Sequence, residues 1–183
     1  MKRLLAMACM LVLVGSSCLV SQEAQVAEPV ANSPSITEKN APVQVKTSTW
    51  LIVRHAEKDS KELLTEEGKQ RAEKLKKLAS LFGVNAVYAT DYPRTQNTGK
   101  PTADALGIKV EKYAPMPDAA WFKSMKGKYA GQTVLIVGHS NTVDKIVAGL
   151  GGAGKISIGH DDYDNLFVVI AKEKTTELLQ LKY

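Results

Sequence analysis

The sequence predicts an α/β fold: a three-layer sandwich with a mostly parallel central sheet and helices on both faces. Three observations carry this reading. Short apolar, β-prone runs alternate with stretches of helical period from Thr47 onward. The clearest runs, Thr49-Trp50-Leu51-Ile52-Val53 and Val134-Leu135-Ile136-Val137, are continuously β-prone and, from Trp50 and Val134 on, apolar, as expected of strands buried on both faces. The chemically versatile residues cluster where those runs stop, which is where open α/β sheets build their sites.

The elements follow in order. The run at 49–53 is the first strand. Leu64-Thr65-Glu66-Glu67 offers a threonine cap with acids in the first turn. Ala72, Leu75, Leu78, Ala79 and Phe82 then recur at helical spacing until Gly83 ends the helix. Val84 to Ala89 is the second strand, Pro93 to Leu106 a helix with proline at its first position, and Ile108 to Tyr113 the third strand. A short helix at Ala119 to Met125, a strand at Thr133 to Val137 and a helix from Asn141 to Leu150 continue the alternation. Asn165 to Ala171 and Thr175 to Leu181 form a closing hairpin.

Ahead of the domain, residues 1–18 have the order of an export signal. Lys2 and Arg3 precede an apolar run from Leu4 to Val14 that is too short to span a bilayer, and Gly15-Ser16-Ser17-Cys18 follows. Small residues before a cysteine resemble a bacterial lipoprotein processing site, with Cys18 lipidated; ordinary signal cleavage with soluble export is the alternative. The expected location is the periplasm or cell envelope, with Leu19 hinting at the outer membrane. Residues 19–46, polar and carrying Pro29, Pro34 and Pro42, read as a flexible tether, which leaves 47–183 for one domain. Both cysteines, Cys9 and Cys18, lie in the leader, so the domain has neither an internal disulfide nor a catalytic thiol.

With 44% hydrophobic and 23% charged residues, the chain is neither disordered nor a multi-span membrane protein. The net charge of +5 comes from lysines such as Lys69, Lys74, Lys76 and Lys77 on one helical stretch. No aromatic residues interleave with them to stack bases, so a nucleic-acid partner is not expected, whereas a weak positive field suits an anionic substrate.

The chemistry stands at three strand ends. The first runs into Arg54-His55-Ala56-Glu57-Lys58, the second into Thr90-Asp91-Tyr92-Pro93-Arg94-Thr95, and the fourth into Gly138-His139-Ser140-Asn141. A lone histidine after a strand is ordinarily structural. Two of the chain's three histidines occupy equivalent positions, with two arginines beside them, and this is a phosphate-handling inventory. Guanidinium groups fork onto phosphate oxygens, and a neutral imidazole is a nucleophile.

The run Leu51-Ile52-Val53-Arg54-His55-Ala56-Glu57-Lys58 resembles the signature of the histidine phosphatase superfamily, also called phosphoglycerate mutase-like. Leu64-Thr65-Glu66-Glu67-Gly68, Tyr88 to Thr98 and Val134 to Ser140 agree in the family's order, and the 163–169 stretch resembles the closing strand of small members. The resemblance implies that His55 becomes phosphorylated, that Arg54 and Arg94 hold the phosphoryl oxygens, and that His139 stabilises charge on an equatorial oxygen. Neither a cofactor nor a metal is implied. Asp118 falls where one branch places its general acid, with Glu57 as the rival, and Asp91 or water remaining. Ser140 stands where the other branch carries an aspartate, which argues against that branch.

Several side readings complete the expectation. Asn141 and Ser140 extend hydrogen bonding around His139 or, as the simpler role, cap the following helix. His160-Asp161-Asp162 reads as an exposed loop at the site's rim rather than a metal site, and Trp121, Phe122 and Met125 as packing. Little sequence separates the second, third and fourth strands, which implies an open pocket suited to a bulky or varied substrate, a phosphorylated small molecule or a protein side chain. The expected function is metal-independent hydrolysis of phosphoesters or phosphoamidates through a phosphohistidine on His55. The competing reading is a lipid-anchored binding protein for phosphate ligands that does not turn over.

Overall fold

Successive side chains of a strand face opposite ways, and in the first strand both ways lead to apolar partners: Trp50, Leu51, Ile52 and Val53 are all fully buried. The computed structural model describes residues 46–183; the leader, Cys18 and residues 19–45 of the expected tether lie outside the described residues.

Ten elements follow in chain order: β1 (Ser48–Arg54), α1 (Glu66–Leu81), β2 (Val84–Thr90), α2 (Pro93–Leu106), β3 (Val110–Tyr113), α3 (Ala119–Lys128), β4 (Thr133–Gly138), α4 (Val143–Leu150), β5 (Asn165–Ala171) and β6 (Thr176–Lys182). They form a six-stranded sheet of order β3-β2-β4-β1-β5-β6. The first four strands pair in parallel, β5 runs antiparallel to β1, and β6 closes the edge as the partner of a hairpin. The fold class and each expected element are present.

On one face Leu75 and Ala79 of α1 and Ala103 of α2 pack on Leu51, Val53, Val87, Leu135 and Val137. On the other, Met125 of α3 and Val143, Ile146 and Leu150 of α4 pack on Trp50, Ile52, Val134, Ile136 and Phe167. Each fully buried aliphatic side chain contributes about 1.5–3 kcal/mol, and this two-sided burial makes β1 and β4 the rigid centre. Trp121 stacks on Tyr113 with ring centroids 5.1 Å apart, and Met125 is buried, so the helix-face packing expected of α3 is found.

Several element ends differ from expectation by one to three residues, α3 for instance running on to Lys128, and two of the differences have clear local reasons. The third strand starts at Val110 rather than Ile108. Gly107 takes a left-handed conformation (φ 66°) and the Ile108 N–H turns back to the Ala103 carbonyl at 3.0 Å, closing α2 before the chain extends. The last helix begins at Val143 rather than Asn141, because the Thr142 and Val143 N–H groups both bond the His139 carbonyl at 3.0 Å and tie 139–142 into a turn.

Candidate active site

Strand register brings the two histidines together. Arg54 is the Cα partner of Gly138 across the parallel β1–β4 pair, so the next residues, His55 and His139, leave the sheet side by side. The His55 N–H donates to the Gly138 carbonyl at 2.9 Å, and the two rings lie 5.7 Å apart, each residue under a tenth exposed.

Each imidazole is oriented by a specific neighbour. His55 Nδ1 lies 2.8 Å from the Ala56 carbonyl, a pure acceptor, so Nδ1 carries the proton and Nε2 keeps its lone pair. The carbonyl needed to fix this tautomer is supplied by the very next residue. His139 Nε2 lies 2.9 Å from Thr90 Oγ1, while Arg94 Nη2 stands 3.3 Å from Nδ1. A guanidinium only donates, so Nδ1 accepts and Nε2–H donates to Thr90, whose hydroxyl bonds Thr95 Oγ1 at 2.9 Å. Burial pushes both histidines down from 6.5 to about 4, assisted by the positive charge of Arg94 and Arg54; for His55 the Ala56 carbonyl pulls partly the other way. At neutral pH both rings are uncharged.

Helices α1 and α2 hold the loop that bears His55. The Ala56 N–H donates to Thr98 Oγ1 at 2.9 Å, and Thr98 Oγ1 donates to the Arg94 carbonyl at 2.7 Å. The Thr65 N–H bonds the Glu57 carbonyl at 3.0 Å, and Thr65 Oγ1 caps α1 by accepting from the Gly68 N–H at 3.1 Å. A Cβ on residue 68 would sit 2.2 Å from that same Glu57 carbonyl oxygen, so only glycine lets the first turn of α1 dock there.

Arg94 projects from the first turn of α2, with its guanidinium 4.5 Å above the Tyr92 ring and paired to the carboxylate of Glu62. Burial, followed by the charge of Arg54, lowers its pKa, as expected when two cations share a small space. Arg54 lies 3.9 Å over the Tyr163 ring and donates from Nη1 to the carbonyls of Gly159 (3.2 Å) and His160 (2.7 Å). Nε of Arg54 and Nε of Arg94 find no acceptor among the described residues.

A hollow of about 320 Å³ is lined by His55, Arg94 and His139 together with Lys58, Glu62, Tyr92, Pro115, Met116, Ser140, Asn141 and Thr142. Arg54 does not border it; it acts on both histidines through its charge and is fastened to the 159–160 rim. A larger hollow of about 820 Å³ lies along α1 and α2 but contains none of the histidines or arginines singled out in the sequence; His55, Arg94 and His139 line the smaller one.

The candidate acids fall elsewhere. Asp118 caps α3, its carboxylate accepting from the Trp121 N–H at 2.8 Å, and it does not line the hollow. Glu57 chelates Arg71 Nε with both oxygens, at 2.8 and 2.9 Å, and is likewise absent from the lining. Asp91 pairs with Lys112 at 2.8 Å; the residue at the cap of α2 is Tyr92, which makes no side-chain cap bond. Ser140 and Asn141 do not cap α4, whose cap is Thr142; both face the hollow. His160 is exposed, as read, and it is its backbone that grips Arg54. Among the described residues no group of three or more His, Cys, Asp or Glu forms a metal cluster.

Sequence reasoning missed Glu62, Lys58, Tyr92 and Tyr163. Glu62 had one available signal: the four-residue polar link Asp59-Ser60-Lys61-Glu62 joins the nucleophile loop to α1 and must pass over the pocket.

No curated protein matches the chain. Among solved structures, the protein histidine phosphatase SixA complexed with tungstate superposes with TM-score 0.57 at 17% identity, covering 73% of this chain and 96% of that one. YhfR from Bacillus stearothermophilus gives 0.53 at 16% identity, over 70% and 94%. A mutant phosphoserine phosphatase from Entamoeba histolytica in complex with phosphoserine gives 0.55 at 12% identity, over 72% and 94%. At these identities the likeness shows the fold. The family model that matches residues 50–116 is the histidine phosphatase superfamily (branch 1), the branch to which Ser140 pointed. The stretch that this model matches carries Arg54, His55 and Arg94, so the similarity to the histidine phosphatase superfamily covers the β1 and β2 ends of the site.

Proposed function

We propose that this protein is a phosphatase that takes a phosphoryl group onto His55 Nε2 and releases it to water, acting on phosphomonoesters or phosphoamidates without a metal. The observation that carries the reading is the pairing of a tautomer-fixed imidazole with a half-buried guanidinium in one hollow: His55 Nδ1 held by the Ala56 carbonyl, and Arg94 beside His139.

Phosphoryl transfer asks little covalent work of a protein beyond an in-line nucleophile; positioning and charge stabilisation supply most of the rate. His55 Nε2 supplies the nucleophile, and its low pKa keeps it unprotonated at neutral pH. Arg94, with the field of Arg54 behind it, offsets the charge that spreads over the equatorial oxygens. Burial first, and then the charges of Arg94 and Arg54, hold His139 unprotonated; an arriving dianion offsets those two charges, and a protonated Nδ1 then donates to a phosphoryl oxygen. That two structural relatives are described with tungstate and with phosphoserine bound supports a phosphoryl-sized anion as the ligand.

Hydrolysis of p-nitrophenyl phosphate with a chelator present tests the reading. Wild type is expected to turn over, to be inhibited by vanadate, and to lose about 10³-fold or more in kcat on His55→Ala. Acid-labile phosphate should be trapped on wild type and be absent from the variant. A folded wild type that is inert towards a broad phosphoester panel would favour a binding protein without turnover. The leader read in residues 1–18 would take this activity to the cell envelope. Labelled palmitate incorporated by wild type and lost in Cys18→Ser supports the anchor; its absence from both overturns it.

A further inference from the structure

The hydrolysis proposed above leaves one group unassigned, the donor that protonates the departing alkoxide. Among the described residues lining the hollow, Glu62 is the only carboxylate. Its Oε1 lies 2.6 Å from Lys58 Nζ and its Oε2 pairs with Arg94 Nη1, so it reaches the same guanidinium that would hold the phosphoryl group. Its side chain is 38% exposed, which gives it a path to exchange protons with water.

The backbone beneath Glu62 is unusual. Asp59 Oδ1 accepts from the Lys61 and Leu63 N–H groups at 2.8 and 3.0 Å, and Lys58 bridges Leu64, making a tight hairpin. Glu62 sits on that hairpin at φ 66°, the one non-glycine residue with positive φ among the described residues. A glycine or asparagine would fit this conformation more easily. The turn thus holds a glutamate at an energetic cost, and the result is a carboxylate over the pocket.

We propose that Glu62 is the general acid of the reaction, a role that rests on the phosphatase reading of the site. In the structure its carboxylate is paired to Arg94 and Lys58. A phosphoryl dianion competes for Arg94 and, as a like charge alongside, favours the protonated carboxyl. His55 Nε2 then forms the N–P bond as the P–O bond to the leaving group breaks, and the leaving oxygen takes the Glu62 proton. In the second step the Glu62 carboxylate removes a proton from the attacking water as the N–P bond breaks. Phosphate departs and the acid is restored.

The test is leaving-group dependence. Glu62→Gln keeps size and polarity but has no acidic proton. It is expected to lower kcat on an alkyl phosphate by about 10²-fold, and on p-nitrophenyl phosphate, whose leaving group needs little protonation, by less than about 3-fold in the phosphorylation step. Glu62→Gly, which suits the positive φ, should fold at least as well and show the same split. Asp118→Asn and Glu57→Gln should show no split. Equal loss on both substrates, a fall in KM with unchanged leaving-group dependence, or the split appearing in Asp118→Asn or Glu57→Gln would overturn the assignment. Failure of wild type on p-nitrophenyl phosphate would instead overturn the phosphatase reading, so the two failures are told apart.

Discussion

Arg54 is fastened by neutral groups, the carbonyls of Gly159 and His160 and the face of Tyr163, whereas Arg94 is fastened by a carboxylate, that of Glu62. Carbonyl acceptors orient a guanidinium but leave its net charge intact, so Arg54 projects a permanent positive field on both histidines. A carboxylate partner is itself an anion, so it occupies the contact that an incoming anion would compete for. Arg94 still lowers the pKa of both histidines, more than Arg54 does, while its guanidinium is paired to Glu62. Arg54 is fixed behind the hollow by neutral acceptors, and Arg94 borders it with a contact that an anion could exchange.

Double-mutant analysis would break this comparison most directly and has the largest expected effect. Arg54→Ala and Arg94→Ala should each lower kcat/KM by about 10²–10³-fold. Arg94→Ala should lose more, because it also leaves the Glu62 carboxylate facing an anionic substrate. Adding Glu62→Gln should recover part of the loss in Arg94→Ala and none in Arg54→Ala, measured on p-nitrophenyl phosphate. Equal coupling to both arginines would erase the distinction.

A second expectation concerns pH. Both histidines fold with pKa values near 4, below their ordinary 6.5. The free protein should therefore keep its nucleophile unprotonated, with kcat/KM showing no histidine limb between pH 5 and 7. The linkage has a definite sign. Between about 4 and 6.5 the unfolded chain binds more protons than the native one, so stability is full above 6.5 and falls as pH drops towards 4. The slope is on the order of 1 kcal/mol per pH unit for each histidine. Urea midpoints at pH 7 and 5 should show this fall in wild type and a smaller one in His139→Gln. Bound phosphate should raise the His139 pKa, seen by NMR titration, since it counters the charges that depress it.

The smallest expected effect is on the rim. Tyr163→Phe keeps a ring beneath Arg54 and should change KM by less than about 2-fold, while Tyr163→Leu removes the cation–π contact and should raise it about 3-fold. Loss of activity with Tyr163→Phe would mean that the hydroxyl, rather than the ring, serves the site.

The order of elements was legible because a strand buried on both faces admits little but apolar residues, and β1 and β4 obey that rule throughout. His55, Arg94 and His139 were legible because polar side chains at the ends of such strands have few structural reasons to be there. The acid was not. Asp118 and Glu57 stand at positions plausible by chain order, yet the first satisfies a helix end and the second an arginine on α1. A carboxylate is equally at home as a cap, an ion-pair partner or a proton donor, and its type does not distinguish them.

Local rules acting over a few residues, the alternation of strand and helix period, caps and left-handed turns, let the chain by itself determine its elements, its fold class and the strand ends that carry chemistry. Tertiary structure alone decided the β1–β4 register that sets His55 beside His139, the carbonyls that occupy Arg54, and the turn that brings Glu62 to Arg94. Those are contacts between residues 32 to 106 positions apart, and they are fixed by how whole elements pack rather than by any signal the neighbouring residues carry.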